Sequence, residues 1–408
     1  MSEQSTRTLP AGGAPRLFAL EIPALIAGAA GIVLSLIGFF VNHEQFFRSW
    51  LYAWLFFLGI ALGSLGMVML QHLVIGEWGL LVRRMGEAAG MTLPVLLVLG
   101  LPLLLGTGHL FPWARHGEIA ADPVLAHRRP FFGGAAVLIR SLVYFAIWIF
   151  LAWRLRTLSL RMDDAPTDAR AAAMRRWSAF GMVLYFLTMS SAAVDWIMSR
   201  EPHWYSTTFG FIVIAAQALS ATGFFILLLA RLSRETPMDT AIRADALHDL
   251  GNILLLMVIL WAYTSFAQFL VIWLGNTQQD VPWYIHRSHG FWRFVTVLLV
   301  LFQFFAPFFL LLNQPVKRSM RTMAWVATGL LVTQWLNALW MIEPSSPTPE
   351  PHPLSWMDFV TPVGIGGVWL ASFLWMFRRA PLLPVGLSVA VKPFDHGPND
   401  AIPTPPVA

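Results

Sequence analysis

"VDWIMSREPHWYSTTFG" (residues 194–210) closes an apolar run that begins at Trp177. It sets a carboxylate, Asp195, inside a segment long enough to cross a bilayer, then crowds Arg200, Glu201 and His203 into the next few positions. An ionisable side chain at membrane depth costs roughly 2.5–3.5 kcal/mol on insertion scales, so it normally faces a partner or a wet cavity. The run is therefore read as a membrane helix over 177–199 with a polar site near its end.

The rest of the chain supports that reading. Of 408 residues, 57% are hydrophobic and 12% charged, and the mean hydropathy is +0.63. Apolar blocks long enough for ~30 Å of hydrocarbon recur along it. Ten helices are expected, over 22–41, 50–73, 88–108, 133–153, 177–199, 207–230, 250–274, 291–313, 322–342 and 357–377. The fold class is thus an all-α polytopic membrane protein. Residues 1–21 form a polar tail, 22–380 the ten-helix domain, and 381–408 a Pro-rich tail. The first block is longer than a signal peptide's core and lacks its small-residue cleavage pattern, so it is expected to be retained. The Pro-rich stretch 343–355 is expected to be extended. The inner segment 154–176 is expected to be a loop with a short helix near 167–176.

Lys and Arg set the expected orientation. The tails and even-numbered loops hold 19 of the 27, counting Arg83 and Arg84 in a loop, and the odd-numbered loops hold 6. Both termini are expected in the cytoplasm, with the loop after Asp195 outside. The scattered basic residues form no stripe for nucleic acid. With no cysteine, the chain has no thiolate metal site, iron–sulfur ligation or covalent haem. Paired His at matching depth in one bundle are also lacking, so no haem is expected.

Three polar sets stand out. Tyr185, Thr188, Ser191 and Asp195 share one broad face of the fifth span. By rise per residue, Asp195 and Arg140 of the fourth span both lie ~6–11 Å below the outer boundary, which predicts an ion pair, and His109 is placed to join it. Asp195 is either half of a structural pair or a proton acceptor tuned by Arg140. On the inner side, His72, Glu87, His248, Asp249, Asn252 and Tyr263 are either solvated caps or proton-uptake groups, with His248, Asn252 and Tyr263 on one helix face. In the later spans, Gln268, Arg293, Gln303, Gln334 and Asn337 suit interhelical hydrogen bonding. Gly59, Gly63 and Gly66 suit close packing, and Pro94 and Pro102 suit a kink. A faint internal echo links "VDWIMSREP" at the end of span five to "ALWMIEP" at the end of span nine. It fits two four-helix bundles, spans two to five and six to nine, flanked by spans one and ten.

Longer strings carry a family resemblance. "SAAVDWIMSREPHWYSTTFGF" (191–211), "LHDLGNILLLMVILWAYTSFAQFLVIWLGN" (247–276), "VPWYI" (281–285) and "RRMGEAAGMTLPVLLVLGLPLLLG" (83–106) resemble the ActF-type membrane subunit of alternative complex III, in the NrfD/PsrC superfamily. The likeness runs from about residue 20 to 380. It implies a bacterial inner-membrane subunit of a quinol:cytochrome c oxidoreductase, without a redox centre of its own, with quinone or menaquinone as the ligand class. It further implies three kinds of partner: a homologous quinol-binding subunit, an iron–sulfur protein and c-type cytochromes. Asp195 matches the motif carboxylate, and His248 with Asp249 match its "HDLG". Gln303 and Asn337 stand where the family often carries His and an acid, which removes titratable groups from the second bundle. A secondary transporter and a non-conducting structural subunit are the competing readings.

Overall fold

The computed structural model describes residues 15–74, 76–115, 122–235, 238–345 and 354–384, without the side chains of 15, 128–130 and 240. Most of the N-terminal tail, residues 346–353 of the Pro-rich stretch and the tail from 385 onward lie outside the described residues. Among those described, all regular structure is helical.

Nine of these helices are long and apolar enough to cross a membrane, and a bent pair completes ten. The spans are Arg16–Val41, His43–Leu73, the pair Glu77–Gly90 and Leu93–Leu105, Gly134–Asp164, Asp168–Arg200, Phe209–Leu232, Ala244–Gly275, Gly290–Leu312, Met320–Ile342 and Met357–Phe377. Several exceed what hydrocarbon requires: a 31-residue helix is about 46 Å long, so its ends project beyond ~30 Å.

Two expected loops are helical instead. The third span begins at Glu77 rather than 88, because Trp78, Leu81, Val82, Met85, Ala88 and Ala89 give this segment an inward apolar face. Arg83 and Arg84 therefore lie buried in a helix. The span bends by 41° at residues 91–92, just before Pro94. Proline disfavours helical geometry in the residue before it and suits the first turn of a new helix. Thr92 stabilises the break, donating to Ala89 O (2.6 Å) and accepting from Trp369 Nε1 (2.9 Å). Pro102 stays within a helix. The second correction concerns 154–176. One helix runs to Asp164 and the next starts at Asp168, N-capped by Thr167, so the segment is a helical hairpin with a turn of three residues.

Spans two to five form one four-helix bundle and six to nine another, with one and ten outside. Spans two and six meet back to back and are the most buried of all. Gly63 makes that approach possible: a Cβ there would lie 2.0 Å from Gln217 O. Spans one and ten pair along glycines, with a Cβ on Gly31 falling 2.5 Å from Gly364 N, and Ser35 bonds Thr361 (3.0 Å). The odd-numbered connections gather on one face of the molecule and the even-numbered ones on the other. The eighth span contains a π-helical segment, Val300–Phe305, around buried Gln303.

Candidate functional site

The fourth and fifth spans bring Arg140 and Asp195 together. Asp195 is fully enclosed, and Arg140 forks onto it with Nη2–Oδ1 at 2.7 Å and Nε–Oδ2 at 2.9 Å. Tyr144, one turn from Arg140, donates to Oδ2 at 3.0 Å. The remaining arm of Arg140 donates to Phe131 O (2.8 Å), and the guanidinium lies 4.1 Å from the Phe131 ring. Trp54, Phe145, Trp148 and Trp196 wall the site in. Both carboxylate oxygens are thus occupied by charge-assisted hydrogen bonds, on an enclosed carboxylate whose Arg140 partner keeps one side open.

The neighbours on that helix face serve other contacts. Tyr185 donates to Gln217 of span six (2.6 Å), and Thr188 accepts from Trp148 Nε1 (2.8 Å). Ser191 returns its hydroxyl to Leu187 O (3.0 Å) and lies beside the Tyr144 hydroxyl. His109 does not join Asp195; it stacks against Phe47 and His43, because the chain turns at Gly106 and carries it towards the first loop.

On the even-loop face the expected set divides. His72 bonds Ser178 (2.9 Å), and Arg83 donates to Gln71 (2.8 Å). Arg84 is the hub, held by Glu87 (2.6 Å), Ser159 (3.2 Å) and Asp163. It ties the third span to the projecting hairpin. His248 lies instead beside Asp249 and Asn252, and Asn252 accepts from Lys317 (2.6 Å). Tyr263 departs from the expected cluster. It is 70% exposed on the outward side of the seventh span, since the shared face turns away from the core as the helix crosses.

A larger polar cluster gathers at the odd-loop face around Arg200 and Glu201, with members the sequence did not point to. Arg287 is buried against Trp283 (3.3 Å to the ring), pairs with Glu201 (3.0 Å) and donates to Trp340 O, Trp283 O, Met341 O and Ser345 Oγ. Ser345 donates to Glu201 (2.5 Å), and Arg200 donates to Ser345 O (3.0 Å). Across the bundle boundary, Arg48 faces Glu343 (3.4 Å), and Asp358 accepts from Ser49 (2.6 Å), Gln45 (2.9 Å) and Ser355 N (2.8 Å). Both halves of the sequence echo end here, as Glu201-Pro202 and Glu343-Pro344. That echo was the available signal.

The two echo carboxyls experience opposite environments. Burial disfavours the charge of Glu201, but Arg287 outweighs it, and with hydrogen bonds from His286 and Ser345 the carboxyl is held down at about 2. Burial, with Asp358 adding repulsion, pushes Glu343 up to about 7 despite Arg48 and Arg200. Beside the cluster lies a cavity of ≈ 480 Å³ to which four odd-numbered loops contribute, through Leu110, Arg200, Trp204, Gln278, His286 and Ser345.

At mid-depth the polar groups are neutral. Gln303, with its amide oriented to suit its neighbours, donates to Thr333 O (3.1 Å) and accepts from Gln334 Nε2 (2.9 Å) and Trp261 Nε1 (3.2 Å). Gln334, Asn337, Gln217 and Ser220 border a void of ≈ 40 Å³ between the bundles, large enough for a water. Gln268 bonds Ser206 and Tyr284, while Arg293 is exposed.

The site and fold define a multi-pass helical membrane protein with buried ion pairs near both ends of its helices. No protein-family model matches the chain, and no curated protein matches it.

Proposed function

We propose that this chain is an integral membrane subunit of a respiratory quinol:cytochrome c oxidoreductase of the alternative complex III kind. In this reading it sits in a bacterial cytoplasmic membrane with both termini inside, as the Lys and Arg distribution suggests. It carries no redox centre. Electrons from quinol pass to iron–sulfur and c-type haem groups on partner subunits, and a homologous membrane subunit stands beside it. This chain supports quinol handling and proton movement at the membrane boundary.

The observation that carries the reading is the convergence of buried ionisable side chains on one cavity-bearing face. Arg48, Arg200, Glu201, Arg287, Glu343 and Asp358 are all buried there or nearly so, at the mouth of the two bundles. A chain that merely anchored others would gain little by placing six ionisable side chains where each incurs a desolvation penalty when charged. A secondary transporter usually breaks helices at corresponding positions in both repeats. Here the bend lies in span three and the π-helical segment in span eight, which are not equivalent places in the two bundles.

The test is purification of the tagged chain in mild detergent, identification of what accompanies it, and a quinol:cytochrome c assay. Haem c and iron–sulfur subunits with quinol-dependent reduction support the reading. A chain that purifies alone and lacks that activity sinks it. Asp195→Asn in an intact complex then separates roles: lost turnover or proton release marks a proton acceptor, and normal turnover marks a structural pair.

A further inference from the structure

Four carboxyls near the odd-loop face lie buried or nearly so, and three of them accept two or more hydrogen bonds. Asp195 takes three donated hydrogen bonds, Asp358 three, and Glu201 those of Arg287 and Ser345. Glu343 differs. Its Oε2 has Arg48 at 3.4 Å, and its Oε1 is buried without a hydrogen-bond partner among the described residues. A buried carboxylate with an oxygen left unmet calls for an explanation, and a proton on that carboxyl lessens the penalty, because a neutral under-bonded group costs far less to bury than a charged one. The groups that face it are Arg48, Tyr52 and Gln45 from span two, the last a hydrogen-bond partner, with Arg200 from the end of span five and Asp358 from span ten; Glu201 and Arg287 lie beyond Arg200. Two residues further on, Ser345 lines the cavity together with Arg200.

We infer that Glu343 is a proton-binding site at the joint between the two bundles, beside the odd-loop cavity. Glu201, its counterpart in the sequence echo, is the member held ionised by its pair with Arg287. Environments that drive two related carboxyls apart are how a site separates a group that exchanges protons from one that only holds charge. The direction of the Glu343 shift, upward through burial and Asp358, agrees with the geometry. This inference goes beyond the quinol reading: it concerns an equilibrium of the chain itself and stands whether or not the protein oxidises quinol.

Infrared difference spectroscopy of the purified protein between about pH 5.5 and 10.5 tests it. The expected result is a protonated-carboxyl carbonyl band that titrates near neutrality and is missing in Glu343→Gln. A wild-type spectrum without a titrating band, or one unchanged in Glu343→Gln, overturns it. Should that variant fail to fold, Arg48→Gln reads the same site: loss of the facing cation raises the midpoint by about 1–3 pH units, whereas Arg48→Lys leaves it near the wild-type value. An Arg48→Gln midpoint equal to wild type rules Glu343 out as the titrating group.

Discussion

Arg140 and Asp195 stand 55 residues apart in sequence and meet as a fork on a carboxylate, two hydrogen bonds of 2.9 and 2.7 Å between adjacent spans. Removing Arg140 strands the enclosed Asp195 charge, which costs about 3–5 kcal/mol, and removing Asp195 costs less because the Arg140 side chain is 24% exposed, whereas replacing both with apolar groups is often neutral. Asp195→Asn and Arg140→Met should each lower the melting temperature in detergent. The double variant Arg140→Met/Asp195→Leu should recover most of the loss. Additive losses would mean that the fork contributes nothing to the fold.

Gly63 carries the closest backbone contact between the bundles. A methyl group 2.0 Å from the Gln217 carbonyl must separate spans two and six, so Gly63→Ala should reduce folded yield on size-exclusion chromatography. Gly329 is the control, since a Cβ there meets nothing within 4 Å. Gly329→Ala should leave yield unchanged.

Arg84 ties Glu87 and Asp163 across two elements. Arg84→Met should release the hairpin of 154–176 from the third span. Limited proteolysis should then cut faster around 165–167, where helix gives way to the turn. An unchanged cleavage rate would show that packing alone holds the hairpin.

The echo carboxyls should act oppositely on stability. For Glu201, depressed to about 2, the stabilisation is complete above the unfolded value near 4.3 and fades as pH falls towards 2. For Glu343, raised to about 7, the contribution is complete below about 4.3 and fades as pH rises through 7. Melting curves should therefore show Glu343→Gln gaining on wild type from pH 5 to pH 8. Glu201→Gln should be less stable than wild type across that range, by a constant margin. Parallel curves for Glu343→Gln would remove its titration from the balance.

Apolar run length made the ten spans legible, and helical rise made the Arg140–Asp195 pair legible, because both depend on local regularities. Helix ends were harder to read. Arg83, Arg84 and Asp163 look like loop residues until distant partners are known, and those partners make their burial tolerable. Tyr263 shows the limit of periodicity: spacing tells which residues share a face but not which way that face turns. The odd-loop cluster was least legible, since Arg48, Glu201, Arg287, Glu343 and Asp358 come from elements spread over some 310 residues and assemble only when the bundles close.

The glycine-lined pairing of the first and last spans also has a consequence for biogenesis. Span one leaves the ribosome at Val41, and its partner begins at Met357. At synthesis rates of about 5–20 residues per second, the first helix waits tens of seconds with Gly28 and Gly31 uncovered. Its seat is filled only when the tenth helix emerges, which then acts as a clasp on the first. Chains stalled before residue 357 should present that bare glycine stripe to the insertion machinery and its proteases.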